Sequence, residues 1–514
     1  MRFDRHILSI GLLILALAYT LWFVFAGFGN HLDPLYWLYK YEHLEGGWMA
    51  VGTLLTGGAV VRLFGAELLP LRLAGWLCVT TAIALPYCTL LDRDTRRTNL
   101  HWLALTYLLM GYGAFQEFSP GTLSVLLLSA IWVTVSKSPI TNYQSPITSA
   151  LLAGLAITVR FPNILVLLVL VPLWRKRSLW LVPLSALTAG MVYLLGYLFI
   201  TPAPMDAAMS SHDVMEMVSK LWENLGKLLG FILMAIGVLA FPMRGKRYAG
   251  WCVGAALSLF ILYTIRPYQW YNTDLTYLLS AFCIVIALCT PGASSRHQLS
   301  IAPAILMVAT LGTDTAWLKL FPAVLCLLPV ALARYKTSSD RRYLLQVLSI
   351  LCVVVMVRMT TNSIAQSNLT KATAFASVSP YRGIAIRSAE QSRLLQYKAD
   401  YDSLKNDQMV NDQMVNVLAL GQELHLMRAV TGCEAARYNE FWSNIFDSVY
   451  TAKYEPIIAL EHPVVFCSFS PMFKTKPSYT DRESRVEQML RAHGYRAIDR
   501  SNCKYMIYIP QSNE

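Results

Sequence analysis

Long apolar stretches follow one another along this chain up to about residue 360, separated by short polar links. Inside a bilayer each backbone N–H and C=O group has to be bonded within the protein, so these stretches predict helices. Of the 514 residues, 55% are apolar and 14% are charged, and the mean hydropathy is +0.44. The chain is therefore expected to be a mainly α, multi-span membrane protein with a smaller soluble part.

The formal net charge of +12 lies mainly in short links between the apolar stretches. This distribution follows the positive-inside rule of membrane proteins and gives no reason to expect a nucleic-acid partner. It places the N-terminus in the cytoplasm and the C-terminal part outside. We interpret the first stretch as a retained anchor, with a signal peptide as the alternative. The thirteen predicted spans are 7–27, 70–90, 100–115, 119–136, 147–160, 163–174, 178–200, 226–242, 249–265, 274–290, 300–313, 319–333 and 343–358.

One further apolar stretch, residues 49–65, is not counted as a span. It contains several glycines and Arg62, and counting it would reverse the charge bias of every later link. We expect an amphipathic helix lying at the outer membrane surface, within an outer region of loops and surface helices at 28–69.

Residues 360–514 are predicted to form a soluble outer α/β domain, separate from the membrane domain of residues 1–359. Short apolar runs at 415–421, 456–469 and 504–510 predict strands. Polar stretches with helical character, at 387–405 and 482–495, predict helices, and Gly494 is expected to end the second.

Polar and aromatic side chains are dense just after the first predicted span, in GNHLDPLYWLYKYEHLEGGW. Asp33 lies about one turn beyond the membrane there, and its carboxylate could act as general base toward an acceptor. His31, Glu42 and His43 are neighbours that could bind a substrate. The alternative is an interfacial aspartate that caps a short helix.

Glu117 stands in a short outer link between the third and fourth predicted spans. Because the link is short, its carboxylate is expected close to the membrane face, where a charge needs a partner or water. A solvated turn residue is the alternative, and the sequence favours neither.

An arginine and a proline, Arg160 and Pro162, interrupt a long apolar run. A charge inside a bilayer is costly, so Arg160 is expected at the membrane boundary or in a polar cavity. Arg266, with Tyr268 and Tyr271 beside it, ends another span on the same side. A guanidinium can donate two parallel hydrogen bonds to a phosphate. The alternative is two arginines that extend to the interface beside an aromatic belt.

Together these segments resemble the polytopic glycosyltransferases of the GT-C superfamily, in particular the branch with the protein O-mannosyltransferases and the aminoarabinose lipid A transferases. The resemblance covers about residues 5–290. It is carried by the outer acid after one span (Asp33), by AVVRLFGAELLPLRLAGWL (59–77), by the acid between the third and fourth spans (Glu117), and by LLAGLAITVRFPNILVLLVLVPLW (151–174). The last segment is similar to the family's small-residue helix, basic residue, proline and second short helix.

The resemblance implies an inverting transfer of a sugar from a polyprenyl-phosphate carrier at the outer face of the membrane. Asp33 would deprotonate or orient the acceptor, and Glu117 would support it or help to hold a divalent ion, if one is used. Arg160 and Arg266 would stabilise the charge that develops on the lipid phosphate. Tyr268 and Tyr271 would complete the phosphate site.

The implied partners are a polyprenyl-phosphate-sugar donor, membrane lipids, and a glycan, lipid or protein acceptor. Short loops and the lack of an organelle signal favour a bacterial inner membrane. A multi-span transporter or flippase of lipid-linked or anionic substrates is the main alternative, although no two-fold hydropathy repeat is evident. A non-catalytic scaffold is a further alternative.

Overall fold

The computed structural model is mainly helical through its first two thirds. It describes residues 5–27, 33–46, 48–110, 118–137, 144–174, 177–202, 214–240, 246–264, 273–290, 293–310, 320–335, 338–361, 371–408, 417–421, 426, 429–430, 448–468, 487–498 and 506–511. The helices of this part are α1 (Arg5–Phe25), α2 (Asp33–His43), α3 (Val51–Phe64), α4 (Leu68–Leu90), α5 (Arg93–Thr98), α6 (Leu100–Met110), α7 (Pro120–Lys137), α8 (Gln144–Val159), α9 (Val166–Trp174), α10 (Ser178–Phe199), α11 (Val214–Leu239), α12 (Ala249–Thr264), α13 (Thr273–Leu288), α14 (Ala293–Leu306), α15 (Leu320–Leu325), α16 (Leu328–Arg334) and α17 (Ser338–Thr361). Short 3₁₀ turns lie at Trp48–Ala50, Phe161–Leu165 and Met307–Thr310.

Helices of the described part overlap each of the predicted spans. By length and composition, α1, α4, α7 and α10 are long and apolar enough to cross a membrane, and several shorter helices are also apolar. The helical architecture is therefore as expected, and the larger number of crossings stays a prediction.

Apolar side chains cover the outward face of several long helices. On α10, Leu179 is 84% exposed and Leu198 is 68% exposed, and on α12 Tyr263 is 91% exposed. Monomeric soluble proteins rarely expose large contiguous apolar patches. Lipid tails remove the cost of this exposure, so these faces suit a membrane environment.

Two hydrophobic cores hold the described residues together. The first fills the helical bundle and draws on α1, α4, α6 to α9 and α11 to α17, with one leucine of α10. The second joins α2, α3 and the start of α4 to the C-terminal part of the chain. Leu54 and Leu68 belong to this second core, and so do Tyr381 and Phe466. Helices α2, α3 and the start of α4 are thus packed against residues that follow α17 in the chain.

The C-terminal part is built from short strands and helices. The elements are β3 (Ala374–Phe375), β4 (Ala385–Ile386), α18 (Ser388–Gln408), β5 (Val417–Gly421), α19 (Ser448–Glu461), β6 (Val464–Ser468), α20 (residues 487–492), β7 (Tyr495–Ile498) and β8 (Met506–Pro510). Strands β5 to β8 form a four-stranded sheet in the order β5-β6-β8-β7, in which β5 and β6 are parallel and the other pairs are antiparallel. Nearer the N-terminus, β1 (Glu45–Gly46) pairs in parallel with β2 (Thr201–Pro202).

The predicted strand at 456–469 is wrong in its first half, where α19 continues to Glu461. Ile457 and Ile458 are both buried, while Leu460 is 81% exposed, and this spacing fits a helix rather than alternation along a strand. The helix ends before His462, which has a positive φ of 44°. A short apolar run cannot by itself distinguish a helix from a buried strand. Strand β7 was not predicted. Its start follows Gly494, whose φ of 75° ends α20 as expected.

Helix α3 lies within the stretch predicted as a surface helix. Its first turn, residues 51–54, is buried all round, and Leu54, Gly57, Gly58 and Val61 continue one buried face, while Leu63 and Phe64 in the last turn are exposed. Its glycines allow the neighbouring elements to come close. A Cβ atom on residue 57 would lie 2.4 Å from the Tyr41 ring of α2, and one on residue 52 would lie 2.6 Å from Thr158 Oγ1 of α8.

Candidate functional site

The break between α8 and the following 3₁₀ turn places Arg160 inside the protein. Its backbone is extended, with φ −158° and ψ 118°, and Pro162 lies at the start of the turn. The residue is 8% exposed. Its Nη1 donates a hydrogen bond to Ala309 O at 2.7 Å, and its Nη2 is buried with no hydrogen-bond partner among the described residues. A buried guanidinium with a spare donor is suited to an anion.

Asn163 lies one turn after Arg160 and is fully buried. Its Nδ2 donates to Ala156 O at 2.8 Å and to Ser124 Oγ of α7 at 2.9 Å. The Arg160 backbone N–H donates to the same Ala156 oxygen at 3.2 Å. The Ala156 carbonyl in the last turn of α8 thus keeps its helical hydrogen bond from Arg160 N–H and accepts a second one from the Asn163 side chain.

Helix α2 begins at Asp33 and packs on α3. Nothing of the Asp33 side chain belongs to the described structure. Tyr41, in the same helix, is fully buried, and its hydroxyl donates to Phe118 O at 3.0 Å. Lys40 is 6% exposed, with Nζ 4.4 Å from the centre of the Tyr36 ring. Lys40 belongs to the dense polar and aromatic segment noted in the sequence, where no role was assigned to it, although a lysine one turn after a tyrosine in a helix indicates such a contact.

Glu42 and His43 are exposed on α2. The His43 ring stacks on Tyr39 with centroids 4.1 Å apart, and His43 Nδ1 lies 3.0 Å from Tyr39 O. Tyr39 Oη in turn donates to Glu45 Oε2 at 3.1 Å. These side chains form a polar edge of α2 that is exposed at Glu42 and His43.

Arg72 fixes the chain just before the segment that leads to Asp33. The arginine, in the first turns of α4, is 3% exposed, and its Nη1 donates to Gly27 O at 3.0 Å and to Val24 O at 3.5 Å. These are carbonyl groups at the C-terminal end of α1, where a cation is favourable. Arg72 lies within the segment 59–77 that carries the family resemblance, but the sequence alone assigned it no role.

The C-terminal part of the chain contacts the same place. Gly27 N donates to Ala385 O at 2.7 Å, and Leu68 N donates to Pro380 O at 2.9 Å. Burial raises the pKa of the Glu67 carboxyl, while Arg382, with Nε 3.9 Å from Glu67 Oε1, acts in the opposite direction. Gly27, just after α1, is thus held between Arg72 of α4 and Ala385, which follows α17 in the chain.

Several predicted site residues lie outside the described residues. They are His31, Glu117, Arg266, Tyr268 and Tyr271. The residue after Glu117 is described, however: Phe118 N donates to Leu71 O at 2.9 Å. In the parts of the chain that the structure covers, no group of three or more His, Cys, Asp or Glu could hold a metal ion.

Helices α2 and α3 make contacts at or next to three candidate residues, Asp33, Glu117 and Arg160. Asp33 begins α2, and Phe118, which follows Glu117, accepts the hydrogen bond from α2. Val159, which precedes Arg160, accepts a hydrogen bond from Thr53 Oγ1 of α3 at 2.9 Å. Whether the side chains of Asp33, Glu117 and Arg160 face one cavity stays a prediction.

Neither a scan against protein-family models nor a search of curated proteins gives a match for this chain.

Proposed function

We propose that this chain is a membrane glycosyltransferase of the GT-C type. It moves a sugar, with inversion, from a polyprenyl-phosphate carrier to a glycan, lipid or protein acceptor at the outer face of the membrane. The proposal includes the thirteen spans, a cytoplasmic N-terminus, a bacterial inner membrane as the location, and an outer α/β domain that contains strands β5 to β8.

The observation that carries the proposal is that the Arg160 guanidinium is buried with one unbonded nitrogen in the described structure. A charged side chain is rarely buried among apolar helices without a purpose, because an unbonded buried donor costs about 1–3 kcal/mol and more when it is charged. Arg160 is buried and one of its terminal nitrogens is bonded, while Nη2 has no partner in the described part of the chain. A phosphate oxygen at the membrane boundary would satisfy that donor.

The chemistry needs charge neutralisation more than covalent help from the protein. The acceptor oxygen attacks the anomeric carbon, its proton passes to the Asp33 carboxylate, and the bond from that carbon to the phosphate oxygen breaks. The electron pair leaves with the polyprenyl phosphate, whose charge Arg160 and Arg266 stabilise. Glu117 supports the acceptor side.

The exposed edge of α2 suits a role in holding the acceptor. It carries Glu42 and His43, and His31 precedes the helix in the sequence. Tyr268 and Tyr271 belong to the proposed phosphate site beside Arg266.

Binding of farnesyl phosphate, a short polyprenyl phosphate, tests the role of Arg160 without knowledge of the sugar. The Arg160→Leu variant fills the site with an apolar side chain and so avoids an unpaired buried charge. We expect its affinity for farnesyl phosphate to fall about 10- to 100-fold, the range expected for one charge-assisted hydrogen bond. The matched control is Arg62→Leu, which removes an exposed arginine of α3 and should bind as the unsubstituted chain does. Equal binding by the Arg160 variant would overturn the phosphate site.

A second experiment separates transfer from transport. The purified chain in liposomes is given lipid-phosphate-linked sugars, and both the release of polyprenyl phosphate and the movement of the intact donor across the bilayer are measured. Sugar-dependent release supports the transferase. Movement of intact donor without release would instead favour the flippase.

A further inference from the structure

We propose that Asn163 is a positioning residue that holds Arg160 in the direction needed to bind the donor phosphate. The inference rests on the proposed function. It adds a residue that the sequence analysis did not identify, although this residue directly follows the Arg160-Phe161-Pro162 segment.

The backbone around Arg160 is closed by hydrogen bonds at both ends. Its N–H donates to Ala156 O at 3.2 Å, and its carbonyl oxygen accepts from Asn163 N at 2.9 Å. Asn163 Nδ2 then returns to Ala156 O at 2.8 Å. The last turn of α8, Arg160 and Asn163 therefore form one closed ring of hydrogen bonds.

This ring is attached to a neighbouring helix. The second hydrogen of Asn163 Nδ2 is donated to Ser124 Oγ of α7 at 2.9 Å, and both residues are fully buried. Both amide hydrogens are thus used, one within the break and one across to α7. These hydrogen bonds fix the extended backbone of Arg160 relative to both α8 and α7.

The side chain then spans to a third element. Arg160 Nη1 reaches Ala309 O, in the 3₁₀ turn after α14, at 2.7 Å. With the backbone fixed by Asn163 and one nitrogen fixed by Ala309, the direction of Nη2 is determined. Without the Asn163 amide, Ala156 O loses its hydrogen bond from the side chain and the break can adopt other backbone angles. The guanidinium would then sample several directions. Phosphate binding would have to restrict it to one of them, and this loss of conformational entropy would reduce the affinity for phosphate.

A double-mutant cycle tests whether Asn163 acts through Arg160. The full-length chain is prepared with Asn163→Leu, with Arg160→Leu, and with both, and the affinity for farnesyl phosphate is measured with farnesol as the phosphate-free reference. We expect Asn163→Leu to weaken farnesyl phosphate binding about tenfold when Arg160 is present and to have no further effect when Arg160 is replaced. The affinity for farnesol should stay the same in all variants.

Asn99→Leu is the matched control for loss of a buried asparagine at a helix end. Asn99 is 3% exposed, and its Nδ2 donates to Thr95 O at 2.7 Å. This variant should lower the melting temperature without changing the affinity for farnesyl phosphate. Ser124→Ala removes the acceptor on α7 and should reproduce part of the Asn163→Leu effect on affinity.

The outcomes separate the two proposals. If Arg160→Leu binds farnesyl phosphate normally, the phosphate site itself is wrong. If Arg160→Leu weakens the binding of farnesyl phosphate but Asn163→Leu does not, the phosphate site stands and only the positioning role of Asn163 is wrong. An equal loss from Asn163→Leu in both backgrounds would also overturn it, because the asparagine would then act on folding rather than on the arginine.

Discussion

The contact between α2 and α3 depends on Gly57, and a single methyl group there should disturb it. A Cβ at this position would lie 2.4 Å from two ring carbons of Tyr41 and 2.6 Å from a third. The ring cannot easily move aside, because it is fully buried, bonded to Phe118 O at 3.0 Å and stacked on Trp37 with centroids 5.7 Å apart. Gly57→Ala therefore forces either α2 or the Tyr41 side chain to move.

The expected cost can be assembled from separate effects. Extra volume in a packed core costs about 1–3 kcal/mol. Loss of the Tyr41 hydrogen bond adds about 1 kcal/mol. Alanine is better than glycine in a helix by about 1 kcal/mol, which offsets part of this cost. Gly57→Ala is thus expected to destabilise the folded chain by about 1–3 kcal/mol.

Thermal unfolding of the purified chain in detergent, followed by tryptophan fluorescence, measures this effect. The control is Gly190→Ala in α10, where an added Cβ would meet nothing within 4 Å. We expect Gly57→Ala to melt below the unsubstituted chain and Gly190→Ala to melt at or above it. In a Tyr41→Leu background, which removes the ring, Gly57→Ala should cost less. If Gly57→Ala melts as Gly190→Ala does, or costs the same with and without the ring, the packing argument is refuted.

Asp33→Asn should abolish sugar transfer and leave the melting temperature unchanged, because an amide cannot take the acceptor's proton; normal turnover would remove the general-base role. Burial raises the pKa of the Glu67 carboxyl in the folded chain. The folded chain is therefore more stable relative to the unfolded chain when this carboxyl is protonated. This stabilisation is complete below the ordinary glutamate pKa of about 4.3 and is lost as the pH rises through the raised folded-state value. Glu67→Gln, which cannot ionise, should therefore melt above the unsubstituted chain at pH 7 and at the same temperature near pH 4. Equal melting temperatures at both pH values would contradict the burial argument.

The positions of the helices could be predicted because they depend on local properties of the chain. Apolar runs bounded by polar links predicted helices that the structure has, and Gly494 was correctly expected to end a helix. The prediction of a strand over residues 456–461 was wrong because a run of six residues is too short to distinguish the helical period of about 3.6 from the strand period of about 2. Strand β7 is short and has no apolar run of its own, so only its pairing with β8 defines it.

The environment of the candidate site could not be predicted from the sequence, because it depends on contacts between distant residues. Arg72 bonds Gly27 O, and Arg160 bonds Ala309 O; neither pairing has a local pattern. In the sequence alone, the glycines of α3 indicate that this stretch is not a membrane span. Their actual use, at Gly57, is to let α2 approach, and no composition argument reveals which neighbour comes close.

The second core also constrains the order in which the chain can mature. Leu54 and Leu68 are synthesised early, whereas Tyr381 and Phe466, which share their core, are synthesised after α17. Until those later residues are synthesised, the faces of α2 and α3 in the second core lack part of their packing, and Gly27 lacks its hydrogen bond to Ala385. A nascent chain can therefore complete the packing around α2 and α3 only after Tyr381 and Phe466 have been synthesised.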